Sequence, residues 1–81
     1  MTETPAYPGY ATPAFIECTG RWLVYAYPAD RTGSVEVGRV EDYGDTGWTA
    51  CNARGLYVGL FPTQQAAGEA LVKHAGYEVL R

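Results

Sequence analysis

The sequence predicts an α+β fold, an antiparallel sheet of three to four strands packed on one C-terminal α-helix. Three observations carry this expectation. Between Phe15 and Phe61, short runs rich in aromatic and β-branched residues alternate with turn-forming Gly, Pro, Asp and Asn. At Pro62-Thr63 the apolar spacing changes from two residues to three and four, the spacing of a helix packed on one side. Hydrophobic residues occupy 47% of the 81 positions and charged ones 19%, too apolar a balance for a disordered chain.

Residues 1–13 are expected to form an extended N-terminal arm, followed by a single α+β domain over residues 14–81. The stretch TETPAYPGYATP holds three of the five prolines and no aliphatic side chain larger than alanine, the composition of a terminal arm. Its Tyr7 and Tyr10 offer large contact area at low entropic cost. AFIEC, residues 14–18, reads as a short strand closed by Thr19-Gly20. RWLVYAY, residues 21–27, places Trp22, Val24 and Ala26 on one face and Leu23, Tyr25 and Tyr27 on the other, so both faces are apolar and the strand is central. Pro28 to Ser34 is a turn.

In VEVGRVE, residues 35–41, the apolar alternation of Val35 and Val37 slips by one to Val40, which places a bulge at Gly38. After the polar turn Asp42–Gly47 comes WTACNA, residues 48–53. Arg54-Gly55 leads tightly into LYVGLF, residues 56–61, where Leu56, Val58 and Leu60 alternate with Tyr57, Gly59 and Phe61. The whole reads as an antiparallel meander. Thr63 is placed to cap the helix QQAAGEALVKHA, residues 64–75, with Ala67, Ala70, Leu71 and His74 as its inward stripe and Gly76 as its stop. YEVL alternates again and adds a last edge strand.

Trp48-x-Ala50, Val58-Gly59-x-Phe61-x-Thr63 and Ala66-Ala67-x-x-Ala70 together resemble the last strands and helix of the AP2 and integrase arm-binding family. The resemblance covers residues 48 to about 75. It implies a three-stranded sheet on one helix and, in the members that bind DNA, a sheet laid in the major groove with arginine and tryptophan contacts. Carried over, the implied DNA-contacting residues are Arg39, Arg54 and Trp48.

Charge argues for a different partner. The chain carries 6 Lys plus Arg against 9 Asp plus Glu, a formal charge of −3, whereas phosphate binding draws on a basic face. Nucleic acid is therefore a disfavoured partner. Lysine occurs once, amid abundant Arg, Ala, Gly and Thr, a usage that looks like that of a GC-rich genome such as an actinobacterium or one of its phages. No apolar run approaches the roughly 20 residues of a membrane span, and MTETPAYPGY lacks the basic start and apolar stretch of a signal peptide. The expected location is the cytoplasm, with Cys18 and Cys51 as free thiols.

Chemistry-bearing constellations are sparse. Cys18, Cys51 and His74 are the soft ligands, and a structural zinc site takes four at short paired spacings, so no metal and no cofactor are expected. Cys51 and His74 form the one nucleophile and base pair that can be written. Any buried cysteine on a sheet and any histidine under a helix would meet that description, so the chain is not expected to be an enzyme. Glu36, Glu41, Asp42 and Asp45 surround the strand VEVGRVE and its following turn as a solvated acidic face. The most unusual feature is the aromatic content of 14%. A sheet backed by one helix buries one face, leaving Tyr25, Tyr27, Trp48 and Tyr57 as candidate partner-binding residues, since Tyr and Trp concentrate interface energy. The expected function is a small non-catalytic binding or regulatory module contacting a protein, in the form of a phage-encoded factor acting on a host protein, with a homodimer compatible. The alternative is an AP2-like DNA-binding domain.

Overall fold

The computed structural model describes residues 9–29 and 33–79. Its element order is β1 (Tyr10–Cys18), β2 (Arg21–Pro28), β3 (Val35–Asp42), a 3₁₀ turn (Gly44–Thr46), β4 (Trp48–Asn52), β5 (Tyr57–Phe61), α1 (Gln64–His74) and β6 (Glu78–Val79). The strands form one curled sheet in the order β5-β4-β3-β2-β1-β6, with neighbouring strands antiparallel except β1 and β6, which are parallel. The expected sheet of three to four strands is thus corrected to six. The period-2 runs all join this one sheet, and β1 begins earlier than AFIEC. Tyr10 to Pro13 pair along β2 as part of β1, though their composition reads as an arm; residues 1–8 of that arm lie outside the described residues. Pro13 is tolerated because β6 covers only Tyr10 and Ala11, which leaves the rest of β1 as an edge where a missing N–H interrupts no ladder. β6 (Glu78–Val79) falls in the YEVL run read as a last edge strand, and it pairs parallel with β1.

Local chemistry explains the turns. Thr19 (φ 44°) and Gly20 (φ 84°) close the β1–β2 hairpin with both central residues left-handed, the geometry that matches strand twist. In the β4–β5 hairpin the Gly55 N–H donates to the Asn52 carbonyl at 2.8 Å and Asn52 N–H donates to the Leu56 carbonyl at 2.8 Å, while Asn52 Oδ1 accepts from the Arg54 and Leu56 amides. Thr63 caps α1, its hydroxyl accepting from the Ala66 amide at 3.0 Å. At the other end the Tyr77 amide donates to Val72 O and the Gly76 amide to Lys73 O, a Schellman stop that turns the chain back to β1, where Glu78 N–H donates to Gly9 O.

The slip read at Gly38 is a real bulge. Val24 pairs with Gly38 and Tyr25 with Glu36, so Val37 is the extra residue and joins the buried face. Gly38 has φ 147°, and a Cβ there would lie 2.1 Å from the Cys51 carbonyl oxygen, so no other residue fits. A second register shift, Ala50 with Gly59 and Cys51 with Tyr57, makes Val58 an extra residue in β5. It changes the expected alternation: Val58 and Phe61 pack against the core while Tyr57 and Leu60 are exposed.

The core lies between α1 and one face of the sheet. Ala11, Val24, Ala26, Val37, Val40, Ala50, Ala67, Leu71 and Val72 are buried there, with Phe15, Trp22, Trp48, Val58, Phe61 and Tyr77 packed around them. The inward stripe of α1 is Ala67, Gly68, Leu71 and Val72 rather than one that includes His74, which is exposed. Gly68 is there because the Phe15 ring occupies its side-chain space: a Cβ would lie 2.4 Å from the ring. A mid-helix glycine costs about 1 kcal/mol against alanine, offset here by seating the helix on β1.

Leu71 is fully buried at the centre of this stripe. Its truncation in Leu71→Ala should cost about 2 to 5 kcal/mol, most of the stability of a domain holding about 5 kcal/mol. Thermal melting followed by circular dichroism should show a largely unfolded chain. Gly38→Ala should melt well below the wild type in the same assay, because its Cβ meets backbone that cannot rotate away.

Candidate partner-binding face

Alternation along the strands sends the residues not used in the core to the opposite face of the sheet, where no element lies over them among the described residues. Because directly paired residues share a face, the register defines this surface row by row. Ile16, Leu23, Arg39, Cys51 and Tyr57 are successive partners from β1 to β5. Beside them run Ala14, Tyr25 and Glu36 on one side and Glu41, Thr49 and Leu60 on the other, with Thr12 and Tyr27 beyond. Ile16 is 52% exposed, Tyr27 47%, Tyr57 65% and Leu60 46%, unusually open for large apolar side chains on a strand.

Charges on this face balance. The Arg21 guanidinium meets the Glu41 carboxylate at 2.7 Å, and the register places Arg39 and Glu36, of opposite sign, on the same surface. Arg39, Glu41, Tyr43, Thr49, Cys51 and Tyr57 line a groove of about 380 Å³ over β3, β4 and β5. A second depression, about 340 Å³, lies at the C-terminal end of α1 and is lined by Glu36, Asn52, Arg54 and His74 among others. There Asn52 Nδ2 and His74 Nε2 stand 3.4 Å apart, which links the β4–β5 turn to the end of the helix.

The residues singled out from the sequence separate into three places. Tyr25, Tyr27 and Tyr57 share the open face, Tyr25 and Tyr27 towards β1 and Tyr57 at the β5 edge. Trp48 pairs with Phe61 and packs against the core from the helix side. Arg39 lies in the open-face groove and Arg54 in the β4–β5 turn beside the other depression. The three residues implied as DNA contacts therefore share no surface. Leu23, Ile16 and Leu60 complete the open face. The alternation of RWLVYAY exposed Leu23 to notice, but Ile16 needs the true extent of β1, and Leu60 needs the β5 bulge.

Cys51 faces the open groove, whereas His74 sits at the helix end on the other side of the sheet, so the pair does not meet as nucleophile and base. Cys18 and Cys51 belong to β1 and β4, with two strands between them. Three strand spacings amount to roughly 14 Å, beyond the reach of a disulfide. Among the described residues no group of three or more His, Cys, Asp and Glu is placed to hold a metal ion, and no helix is long and apolar enough to cross a membrane.

Thiol chemistry checks this geometry. A chromogenic disulfide reagent added to native protein should titrate Cys18, which is exposed, faster than the half-buried Cys51. The rate at Cys51 should be unchanged in His74→Ala. A His74-dependent rate would place the two side chains together and contradict the strand register. Compared with protein-family models, with curated protein sequences and with solved structures, the chain matches none.

Proposed function

We propose that the chain is a non-catalytic binding module that contacts a protein partner through the open face of its sheet. The observation that carries this reading is the face itself: Ile16, Leu23, Tyr25, Tyr27, Tyr57 and Leu60 lie laterally on paired strands with nothing over them among the described residues. Leaving such side chains in water forgoes roughly 25 cal/mol for each Å² of apolar area, and a partner surface recovers it. The charge balance describes that partner. Two arginines and two glutamates on the face cancel, so the complementary surface has an apolar centre and mixed charges at its rim. A polyanion such as duplex DNA finds no net positive field here, and the chain as a whole carries −3. Tyr43 and Tyr57 flank Arg39 in the groove and are the residues expected to carry most of the energy.

The test begins with a partner captured from a GC-rich bacterial lysate, identified and purified, then titrated against variants. Tyr57→Ala should weaken binding by roughly 2 kcal/mol, the scale of an interface hot spot, and Lys73→Ala, on the exposed side of α1, should leave it unchanged. Salt should matter little. In parallel, duplex DNA is titrated in gel shifts at about 50 and 200 mM salt. Tight retardation that falls steeply with salt and weakens in Arg39→Ala would replace this reading with DNA binding.

A further inference from the structure

The two edges of the sheet are protected differently. At one edge β6 covers β1 only at Tyr10 and Ala11, and the remainder of β1 carries Pro13, which offers no N–H, and the charged Glu17. At the other edge β5 pairs with β4 alone among the described residues. No charge occurs from Gly55 to Gly68, and Leu56, Tyr57 and Leu60 are 62%, 65% and 46% exposed. An edge with no proline and no charge inside the strand is a template for a further strand.

We infer that the β5 edge pairs with β5 of a second copy of this chain, antiparallel about a two-fold axis. Each copy carries −3, so self-association requires an interface where like charges stay apart, and the uncharged run 55–68 supplies it. Register follows from the bulge. Tyr57 and Leu60 point to the open face, while Val58, Gly59 and Phe61 are on the helix side. Directly opposed residues must share a face, and a two-fold arrangement centred on Leu60 satisfies this: Leu60 meets its own counterpart and Gly59 meets Phe61 of the second copy. Pro62 then ends the ladder from both sides. A head-to-tail pairing of β5 with β1 would instead run into Pro13 and Glu17 and leave open ends, whereas the two-fold pairing closes. The ladder is short, so the dimer is weaker than one held by a standard interface of about 1,600 Å². Its hydrogen bonds are made by the β5 edge, and although Leu60 also belongs to the open face, sedimentation of the chain alone tests the dimer apart from the partner reading above.

Sedimentation equilibrium of the full chain from micromolar to millimolar concentration tests it. The mass should rise from monomer to dimer and stop there, and hydrogen exchange at residues 59–61 should slow as concentration rises. Leu60→Arg sets like charges against each other at the axis and should abolish the dimer without lowering the melting temperature, since Leu60 is exposed. Ile16→Arg, near the other edge, should leave the dimer intact. A monomeric mass at every concentration, an assembly that grows past the dimer, or concentration-dependent protection on β1 instead of β5 would overturn the inference. If Leu60→Arg does not fold, the exchange pattern of the wild type decides.

Discussion

Eleven residues of helix have to seal one face of six strands. A helix of that length spans about 16 Å, while six flat strands would spread over about 24 Å. The mismatch is resolved by curling the sheet, and the bulges at Val37-Gly38 and at Val58-Gly59 add local twist in β3 and β5. Close seating completes the fit. Phe15 lies in the space left by Gly68, and Leu71 and Val72 reach the buried valines of the sheet. Without that approach the apolar inner face of a chain this small would remain wet.

The same curl divides the chemistry of the molecule. Both tryptophans, both phenylalanines and Tyr77 pack inward with the buried valines and alanines, and the outward face receives Tyr25, Tyr27 and Tyr57 with Ile16, Leu23 and Leu60 together with Arg21, Arg39, Glu36 and Glu41. One helix is enough for one face only. The outer face is therefore a consequence of chain economy as well as the ground for the binding role proposed above, in which the balance of its charges favours a protein surface over a phosphate backbone. The sheet also separates Cys51 from His74, so the pair that looks reactive on paper is kept apart by the layer between them.

Several features were legible because their cause is local. The slip from Val37 to Val40 marks Gly38, and Thr63 and Gly76 bound the helix, because caps and bulges depend on residues within a few positions of one another. Trp22, Val24 and Ala26 separate from Leu23, Tyr25 and Tyr27 by simple alternation, and their placement follows it. The period-2 runs were legible one by one, YEVL included, but the expectation of a three- to four-stranded sheet failed because which runs pair in one sheet is decided by contacts distant in the chain. Tyr10 to Pro13 have no apolar pattern of their own and are held as strand by pairing with residues of β2, while β6 exists because the turn at Gly76 returns the chain to Gly9.

The sequence by itself determined the elements with strong periodicity, the sites of their ends, the shortage of basic charge and the lack of metal-ligand spacing. Those properties are carried by side-chain order and backbone preference over a turn or a strand. Only the tertiary structure decided which side chains are available to a partner. Trp48 went to the core because Ala50 beside it had to meet the helix, and His74 turned outward because the helix stripe runs through Gly68 and Val72. Leu60 came to the surface because the extra residue in β5 reversed its face. Exposure depends on what packs across from a residue, and that partner is distant in the chain.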